Sequence, residues 1–211
     1  DEIVSLDEAL PVHLLGNMWV QSWSNIYDLV YPSSTETSSV NVTKIIEEKN
    51  ISEIEMVEYA EDFFLSMGFE PLPSTFWERS LFVKPQDRSV VCHASAWNLD
   101  PAQNDLRIKM CIEKNEEDFI TIHHELGHIF YYQAYNHLPT LFQGGANDGF
   151  HEAFGDLLTL SITPDYLKNI GFISEVEAEE VKEDAIGLLM KQALEGVVVV
   201  PWALMLDKWR A

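Results

Sequence analysis

The segment His124-Glu-Leu-Gly-His128 has the pattern H-E-x-x-H, and it constrains the fold of this chain more than any other feature. On an α-helix, residues four apart lie about 40° apart around the axis and about 6 Å apart along it. His124 and His128 can therefore hold one metal ion, and Glu125 can reach a metal-bound water without being a ligand. An amphipathic helix with two half-buried histidines is the alternative, because so short a pattern also recurs by chance.

A second feature is the acidic pair Glu152 and Asp156, which is spaced so that both side chains lie on one face of a predicted helix. Glu152 would complete a site of two histidines and one glutamate with a fourth position for water, and Asp156 could accept a hydrogen bond from a ligand histidine. A solvated acidic face is the alternative. Apolar residues surround the pair, however: Phe150, Ala153, Phe154, Leu157, Leu158 and Leu160. A carboxylate in such surroundings usually has a partner, so the two helices together predict a site for one Zn²⁺ ion.

Composition limits the classes of protein to which the chain can belong. Its 211 residues are 46% hydrophobic, which is enough for one core or for one lobe of a larger structure. The net charge of −22 makes nucleic acids and anionic membrane surfaces unfavourable partners. A membrane-spanning helix needs about 20 apolar residues, and the best candidate, residues 197–206, is about half as long and contains Pro201. We therefore expect no nucleic-acid partner and no membrane-spanning segment within this chain.

Two features bear on how the protein is processed. The chain starts at Asp1 without an initiator methionine or an apolar leader, so we expect it to be a processed protein or a piece of a longer one. The tripeptides that begin at Asn41 and Asn50 have the form N-x-S/T, which makes both asparagines candidate glycosylation sites.

The two cysteines, Cys92 and Cys111, lie in two predicted strands, residues 90–97 and 106–112. A hairpin that turns at residues 101–102 sets the cysteines opposite each other, close enough for a disulfide bond. By the loop-entropy estimate such a bond would stabilise the fold by roughly 3 kcal/mol, and it would indicate an oxidising, extracytoplasmic setting. Two free buried thiols are the alternative.

Hydrophobic periodicity predicts one mainly α-helical unit with a small antiparallel β-hairpin and no second domain. A capping-box pattern at Ser52 and Glu55 marks one helix start, and Asn115 can cap the helix that carries His124. A further helix carries Glu152 and closes at Pro164. Apart from the helix that carries Glu152, the predicted helices cover residues 11–32, 43–49, 52–67, 74–82, 115–133, 174–195 and 197–210.

Together with the motif at residues 124–128, the segment Gly145-Ala-Asn-Asp-Gly-Phe-His-Glu152-Ala-Phe-Gly-Asp156 resembles the angiotensin-converting enzyme (peptidyl-dipeptidase A) family of gluzincin zinc metallopeptidases. Three shorter segments resemble the same family in the same order, and the resemblance runs over about residues 13–210. These segments are residues 13–19, 91–97 and 107–109. The resemblance implies a mainly α-helical gluzincin fragment with a small antiparallel β-hairpin beside the zinc helices.

Position by position, the resemblance implies three zinc ligands, His124, His128 and Glu152. It implies that Glu125 is the general base and that Asp156 supports a ligand. It also implies that the cysteines form a disulfide.

The resemblance further implies four residues that bind the substrate. His93 would contact the substrate directly, and the backbone of Ala94 and Ala96 would pair with a bound peptide, which suits an edge strand. Gln21 would help to hold the C-terminal carboxylate of the substrate.

The activity implied by the resemblance is that of a zinc-dependent dipeptidyl carboxypeptidase, which releases C-terminal dipeptides from oligopeptides, with chloride sites in the full-length domain. Residues 1–211 would form part of one catalytic domain whose zinc-binding core covers about residues 85–165. The N- and C-terminal parts of the family's domain would lie outside the chain. We expect an extracellular location, either secreted or as the ectodomain of an anchored protein.

Two alternatives to that activity stay open from the sequence. The first is a catalytically inactive, truncated fragment that binds zinc or a partner. The second is a helical structural protein without a metal.

Overall fold

The computed structural model describes the following parts of the chain: Trp23 and residues 26–30, 40–183 and 185–210. Within the predicted first helix, Tyr27–Val30 is helical and forms α1, whereas Trp23 is not helical. Gln21 and most of that predicted helix lie outside the described residues.

The chain divides into two compact units, Val40–Ala178 and a smaller unit of Asp1–Ser39 with Glu179–Ala211. Helices predominate, as the periodicity predicts. In chain order they are α2 (Val42–Glu48), α3 (Glu53–Ser66), α4 (Ser74–Arg79), α5 (Glu116–Tyr135), α6 (Phe150–Thr159), α7 (Pro164–Asn169), α8 (Glu175–Glu183) and α9 (Ala185–Arg210). Two short 3₁₀ turns, Pro101–Gln103 and Thr140–Phe142, lie in the larger unit.

The two predicted helix caps, at Ser52 and Asn115, are confirmed. The Ser52 side chain accepts a hydrogen bond from the Glu55 N–H, and the Glu55 carboxylate accepts one from the Ser52 N–H, which is a complete capping box. Asn115 caps α5 by accepting from the Asp118 N–H at 2.7 Å. Acidic residues fill the first turn of α5, where the helix dipole favours negative charge.

Helix α5 lies in the hydrophobic core of the larger unit. Its Phe130 ring stacks on Phe64 of α3 with the ring centroids 4.2 Å apart, and both side chains are fully buried. Complete burial of an aromatic side chain of this size stabilises a fold by about 1.5–3 kcal/mol. The other fully buried apolar side chains of α5 are Phe119, Ile122, Leu126 and Ile129.

The hairpin consists of the antiparallel strands β1 (Ser95–Asp100) and β2 (Asp105–Lys109). Both observed strands therefore lie closer to the turn than the predicted strands, residues 90–97 and 106–112. The turn is tighter than predicted for a local reason. The Asp100 carboxylate accepts hydrogen bonds from the two N–H groups that follow Pro101, and Asn104 adopts a left-handed φ of 51°.

The predicted disulfide between Cys92 and Cys111 is confirmed, with a Cα–Cα distance of 5.1 Å. It lies just outside the paired part of the strands. At the other end of the hairpin, Arg107 and Arg79 donate hydrogen bonds to the Asp105 carboxylate, and their proximity lowers the pKa of Asp105.

Two helix ends differ from the prediction. Helix α4 ends at Arg79 and not near Phe82, because the Leu81 N–H donates to Ile108 O of β2 at 2.9 Å and so pairs with the sheet. Helix α6 ends at Thr159, and Pro164 begins α7 instead of closing α6. Proline suits the first turn of a helix because its missing N–H is not needed there.

In the smaller unit, α9 continues through Pro201, so the predicted division into residues 174–195 and 197–210 was wrong. Asp184, between α8 and α9, lies outside the described residues. The Trp23 N–H donates to Leu194 O at 2.9 Å. Within the described ranges, no helix is both long and apolar enough to cross a membrane.

Candidate metal centre

Helix α5 places three candidate site residues side by side. The side chains of His124 and His128 are 20% and 10% exposed, and their Nε2 atoms are 3.2 Å apart. Both rings therefore converge on one point, as their spacing predicts. Glu125 is buried beside them and lines the same cleft.

Helix α6 crosses α5 at two glycines. A β-carbon added to Gly127 would lie 3.0 Å from Gly155 Cα, and one added to Gly155 would lie 2.7 Å from Nδ1 of His124. The contact at Gly155 is too short for any β-carbon, and the contact at Gly127 is tighter than most β-carbon contacts and falls on backbone. The close approach of the two helices therefore requires glycine at position 155 and is favoured by glycine at position 127, and it brings Glu152 of α6 to the histidines of α5.

Glu152 completes a triangle of ligand atoms with the two histidines. Its Oε2 lies 3.3 Å from His124 Nε2, and its Oε1 lies 3.6 Å from His128 Nε2. Tetrahedral zinc with ligands at about 2.0–2.1 Å requires donor atoms about 3.4 Å from one another. The observed separations match this value, so the three residues can hold a metal ion. Among the histidine, cysteine and acidic side chains of the described residues, these three have ligand atoms that lie this close together.

Asp156 lies behind one of the two rings, where the sequence predicts a supporting residue. Its Oδ1 is 3.1 Å from Nδ1 of His124, the ring nitrogen that faces away from Glu152. This hydrogen bond raises the pKa of His124 and lowers the pKa of Asp156. Because Nδ1 is engaged by the carboxylate, Nε2 is left to face the ligand triangle.

Burial changes the protonation of the other groups in the site. It raises the pKa of Glu125, and a raised pKa suits a carboxylate that must accept and release a proton near neutral pH. Burial also lowers the pKa of His128 and of the neighbouring His151. A lowered imidazole pKa favours the neutral ring, which is the form that binds metals.

A cleft of about 500 Å³ opens beside the ligand triangle, and Ala94 and Ala96 line it. The edge of β1 that faces away from β2 has no strand partner among the described residues. His93 is exposed at the same cleft, and its Nδ1–H donates to Ala94 O at 2.7 Å. Three of the four predicted substrate-binding residues thus meet at the cleft, whereas Gln21 lies outside the described residues.

The two glycosylation candidates are not among the residues that line the cleft. Asn41 and Asn50 are both exposed, and the Asn41 side chain accepts from the Lys44 N–H at 2.9 Å as the cap of α2. Their glycosylation stays a prediction.

A sequence profile of the angiotensin-converting enzyme family matches residues 1–211. The chain belongs to the angiotensin-converting enzyme family. It is 44% identical to the angiotensin-converting enzyme of Bos taurus and 45% identical to that of Sus scrofa, over 99% of this chain and 16% of each relative. It is 43% identical to the enzyme of Haematobia irritans exigua over 100% of this chain and 34% of that relative. The chain thus spans well under half the length of the relatives it matches.

For this member of the angiotensin-converting enzyme family, sequence reasoning missed three residues that line the cleft, Ser95, Tyr132 and His151. Tyr132 lies one helical turn after His128 on the same face of α5, and this spacing could have identified it. His151 precedes Glu152, but only the crossing of α5 and α6 brings its Nδ1 to within 3.2 Å of His128 Nδ1. That contact depends on tertiary structure and leaves no signal in the local sequence.

Proposed function

We propose that the protein is a zinc-dependent dipeptidyl carboxypeptidase that removes C-terminal dipeptides from oligopeptides. The observation that carries this proposal is the ligand triangle of His124, His128 and Glu152 with the buried Glu125 beside it in a cleft. Two imidazoles and one carboxylate with an open fourth position are a ligand set of catalytic zinc sites. Membership of the angiotensin-converting enzyme family supports the choice of reaction.

In the proposed reaction, each site residue has one task. A zinc ion held by the triangle supplies a Lewis acid that polarises the peptide carbonyl and lowers the pKa of water. Glu125 accepts a proton from the water that attacks the carbonyl carbon, and its carboxyl group then donates that proton to the nitrogen of the departing dipeptide. Asp156 holds the His124 ring in the orientation that ligation requires.

The free edge of β1 is the proposed binding surface for the substrate backbone. An extended peptide can add there as a further strand, with the backbone of Ala94 and Ala96 as its hydrogen-bonding partners. That edge lines the same cleft as Glu125, so a bound peptide bond would lie near the general base. For Gln21 and the substrate carboxylate, the proposal rests on the family resemblance alone.

We propose an extracellular location for the protein, either secreted or as part of an ectodomain. The disulfide between Cys92 and Cys111 supports this location, because such bonds persist in oxidising compartments. Asn41 and Asn50 are exposed, as acceptors of glycans must be.

The exposed half of the site favours a second candidate function, namely zinc binding without appreciable hydrolysis. The side chains of Glu152 and Asp156 are 71% and 76% exposed. Charges in contact with water interact more weakly than charges in a water-excluded site, and transition-state stabilisation depends on such exclusion.

The decisive experiment measures zinc and hydrolysis in one preparation. The purified protein is dialysed, its zinc is counted by atomic absorption, and it is incubated with an N-blocked tripeptide. We expect one zinc ion per chain and release of a dipeptide from the substrate. A chelator should stop this release, and added zinc should restore it. The Bos taurus relative serves as the positive control.

The possible outcomes separate the candidate functions. Stoichiometric zinc without released dipeptide would favour the second candidate and overturn the first. A protein that is folded but holds no zinc would overturn both.

A further inference from the structure

We propose that His151 is a positioning residue for His128, and that Tyr135 in turn positions His151. The inference rests on the proposed function, because it takes His128 to be a metal ligand through Nε2. It assigns roles to two residues for which the sequence analysis predicted none.

The three side chains form a continuous series of contacts that starts at the ligand triangle. Nε2 of His128 faces the other ligand atoms, at 3.2 Å from Nε2 of His124. Nδ1, on the other side of the His128 ring, lies 3.2 Å from Nδ1 of His151. Nε2 of His151 lies 2.9 Å from the hydroxyl oxygen of the buried Tyr135. Both nitrogens of both rings therefore have a defined neighbour.

Ligation through Nε2 determines where the protons lie along this series. A neutral imidazole that binds a metal through Nε2 carries its proton on Nδ1. Nδ1 of His128 is then a donor, so Nδ1 of His151 must present its lone pair. A neutral His151 consequently carries its proton on Nε2, where it can donate to the oxygen of Tyr135. With Nδ1 of His151 as its acceptor, the Nδ1–H tautomer of His128 is stabilised, and this is the tautomer whose Nε2 can bind the metal.

The surroundings of His151 keep its ring in place. The ring centroid lies 4.5 Å from that of Tyr131 and 4.7 Å from that of Tyr132. On the loop before α6, a β-carbon added to Gly145 would lie 3.3 Å from Cδ2 of His151, so the backbone of the loop also closes on the ring. A ring packed in this way can orient its neighbour, since it has little freedom to turn itself.

The two ligand histidines are therefore supported by different chemistry. His124 donates to the Asp156 carboxylate, whose side chain is 76% exposed. His128 donates to the half-buried imidazole of His151, which in turn contacts the hydroxyl of the buried Tyr135. No carboxylate takes part in this series of contacts.

Three variants at position 151 distinguish the contribution of the acceptor atom to zinc binding from the contribution of the ring. His151→Phe keeps a flat ring against Tyr131 and Tyr132 but has no nitrogen. His151→Asn carries an amide oxygen on Cγ, which is the position of Nδ1, so it can still accept from His128. His151→Gln carries its polar group one bond further out, toward Tyr135. His137→Phe, at an exposed histidine outside the cleft, is the matched control.

The zinc affinity of each purified protein is measured by competition with a chelator. We expect His151→Phe and His151→Gln to bind zinc about 10–100-fold more weakly than the unsubstituted protein. We expect His151→Asn to recover most of that loss and His137→Phe to show none.

The proposal is wrong if His151→Phe binds zinc as tightly as the unsubstituted protein, or if the Asn and Gln variants lose affinity equally. The Asn and Gln variants decide the matter should the Phe variant fail to fold, which circular dichroism would show. Failure of the unsubstituted protein to bind zinc is a separate result, and it would refute the proposed function as well.

Discussion

Helices α5 and α6 form the two sides of the candidate metal centre, and they are anchored to the protein in different ways. Half of the 20 residues of α5 are buried, whereas α6 buries only Gly155 and Leu158 of its 10 residues. Two large apolar side chains of α6, Phe150 and Leu157, are mainly exposed, and so is Leu160, which caps its C-terminal end. The hydrophobic core thus holds α5, while the contact with α5 is the main anchor of α6.

This difference indicates what a metal ion would do for the fold. Ligands on both helices would tie α6 to the core through α5, and the free energy of metal binding would add to the stability of the folded state. Substitutions in the buried face of α5 should therefore destabilise the metal-free protein. Substitutions at the site residues of α6 should weaken metal binding and leave the metal-free protein almost unchanged.

The largest effect is expected for Glu125→Gln on α5. Loss of the proposed general base should lower the rate of peptide hydrolysis by about 10²–10⁴. Zinc content should stay the same, because Glu125 is not one of the ligand residues. The control is Glu117→Gln, an exposed residue of the same helix, which should keep the normal rate. Normal turnover of Glu125→Gln with bound zinc would show that another group takes the proton.

Two phenylalanine substitutions test the difference in anchoring directly. Phe130→Ala on α5 removes a fully buried ring and should lower the free energy of unfolding by about 3–5 kcal/mol. Phe150→Ala on α6 removes a ring that is 52% exposed and should change it by about 0.5 kcal/mol or less. Both values are measured by urea unfolding of the metal-free protein. Equal losses in the two variants would mean that α6 is anchored as firmly as α5.

The core side of α5 should also make stability depend on pH through His123. This histidine is fully buried, its Nδ1–H donates to Phe119 O at 2.8 Å, and burial lowers its pKa to about 4. A histidine in the unfolded chain has a pKa of about 6.5. Between these two values the unfolded state binds a proton that the folded state does not. Stability should therefore fall as the pH falls through this window, by about 3 kcal/mol in all.

Urea unfolding of the metal-free protein at several values between pH 7 and pH 4 measures this effect. His123→Gln should lose about 3 kcal/mol less across the window than the unsubstituted protein. His137→Gln, at an exposed histidine, should behave like the unsubstituted protein. Identical pH dependence in all three proteins would show that His123 titrates normally.

The smallest effect is expected on α6, for Asp156→Asn. The amide keeps the shape of the side chain but loses the charge that holds His124, so zinc affinity should fall about 10–100-fold. The unfolding of the metal-free protein should hardly change, because the Asp156 side chain is 76% exposed. Glu175→Gln, which removes an exposed charge on α8, is the control. A large loss of metal-free stability in Asp156→Asn would contradict the proposed independence of α6 from the core.

Much of the fold could be predicted from the sequence, because the signals involved are local. The capping box at Ser52, the cap at Asn115 and the apolar stripe of α5 depend on residues within one or two turns. The errors have two causes, a contact between distant residues and a turn whose side-chain hydrogen bonds the residue pattern did not indicate. Leu81 leaves the predicted helix α4 to pair with β2, and the strand ends were misplaced by the turn that Asp100 tightens.

The same distinction applies to the candidate site. Helical spacing sufficed to predict the convergence of His124 and His128, and the pair Glu152 and Asp156 was identified by its apolar surroundings. The contact between His151 and His128 could not be predicted, since it depends on the approach of two helices. The contact of α5 with the hairpin, which brings the edge of β1 to the cleft, is equally non-local.

The central claim is that one zinc ion is held jointly by His124 and His128 of α5 and by Glu152 of α6. X-ray absorption at the zinc edge of the zinc-loaded protein tests it most directly. The claim predicts nitrogen and oxygen ligands at about 2.0–2.1 Å, with two imidazoles in the unsubstituted protein. It also predicts that His128→Ala and Glu152→Ala each lose zinc or show one fewer of the corresponding ligand. A sulfur ligand at about 2.3 Å, or spectra that neither substitution changes, would contradict it.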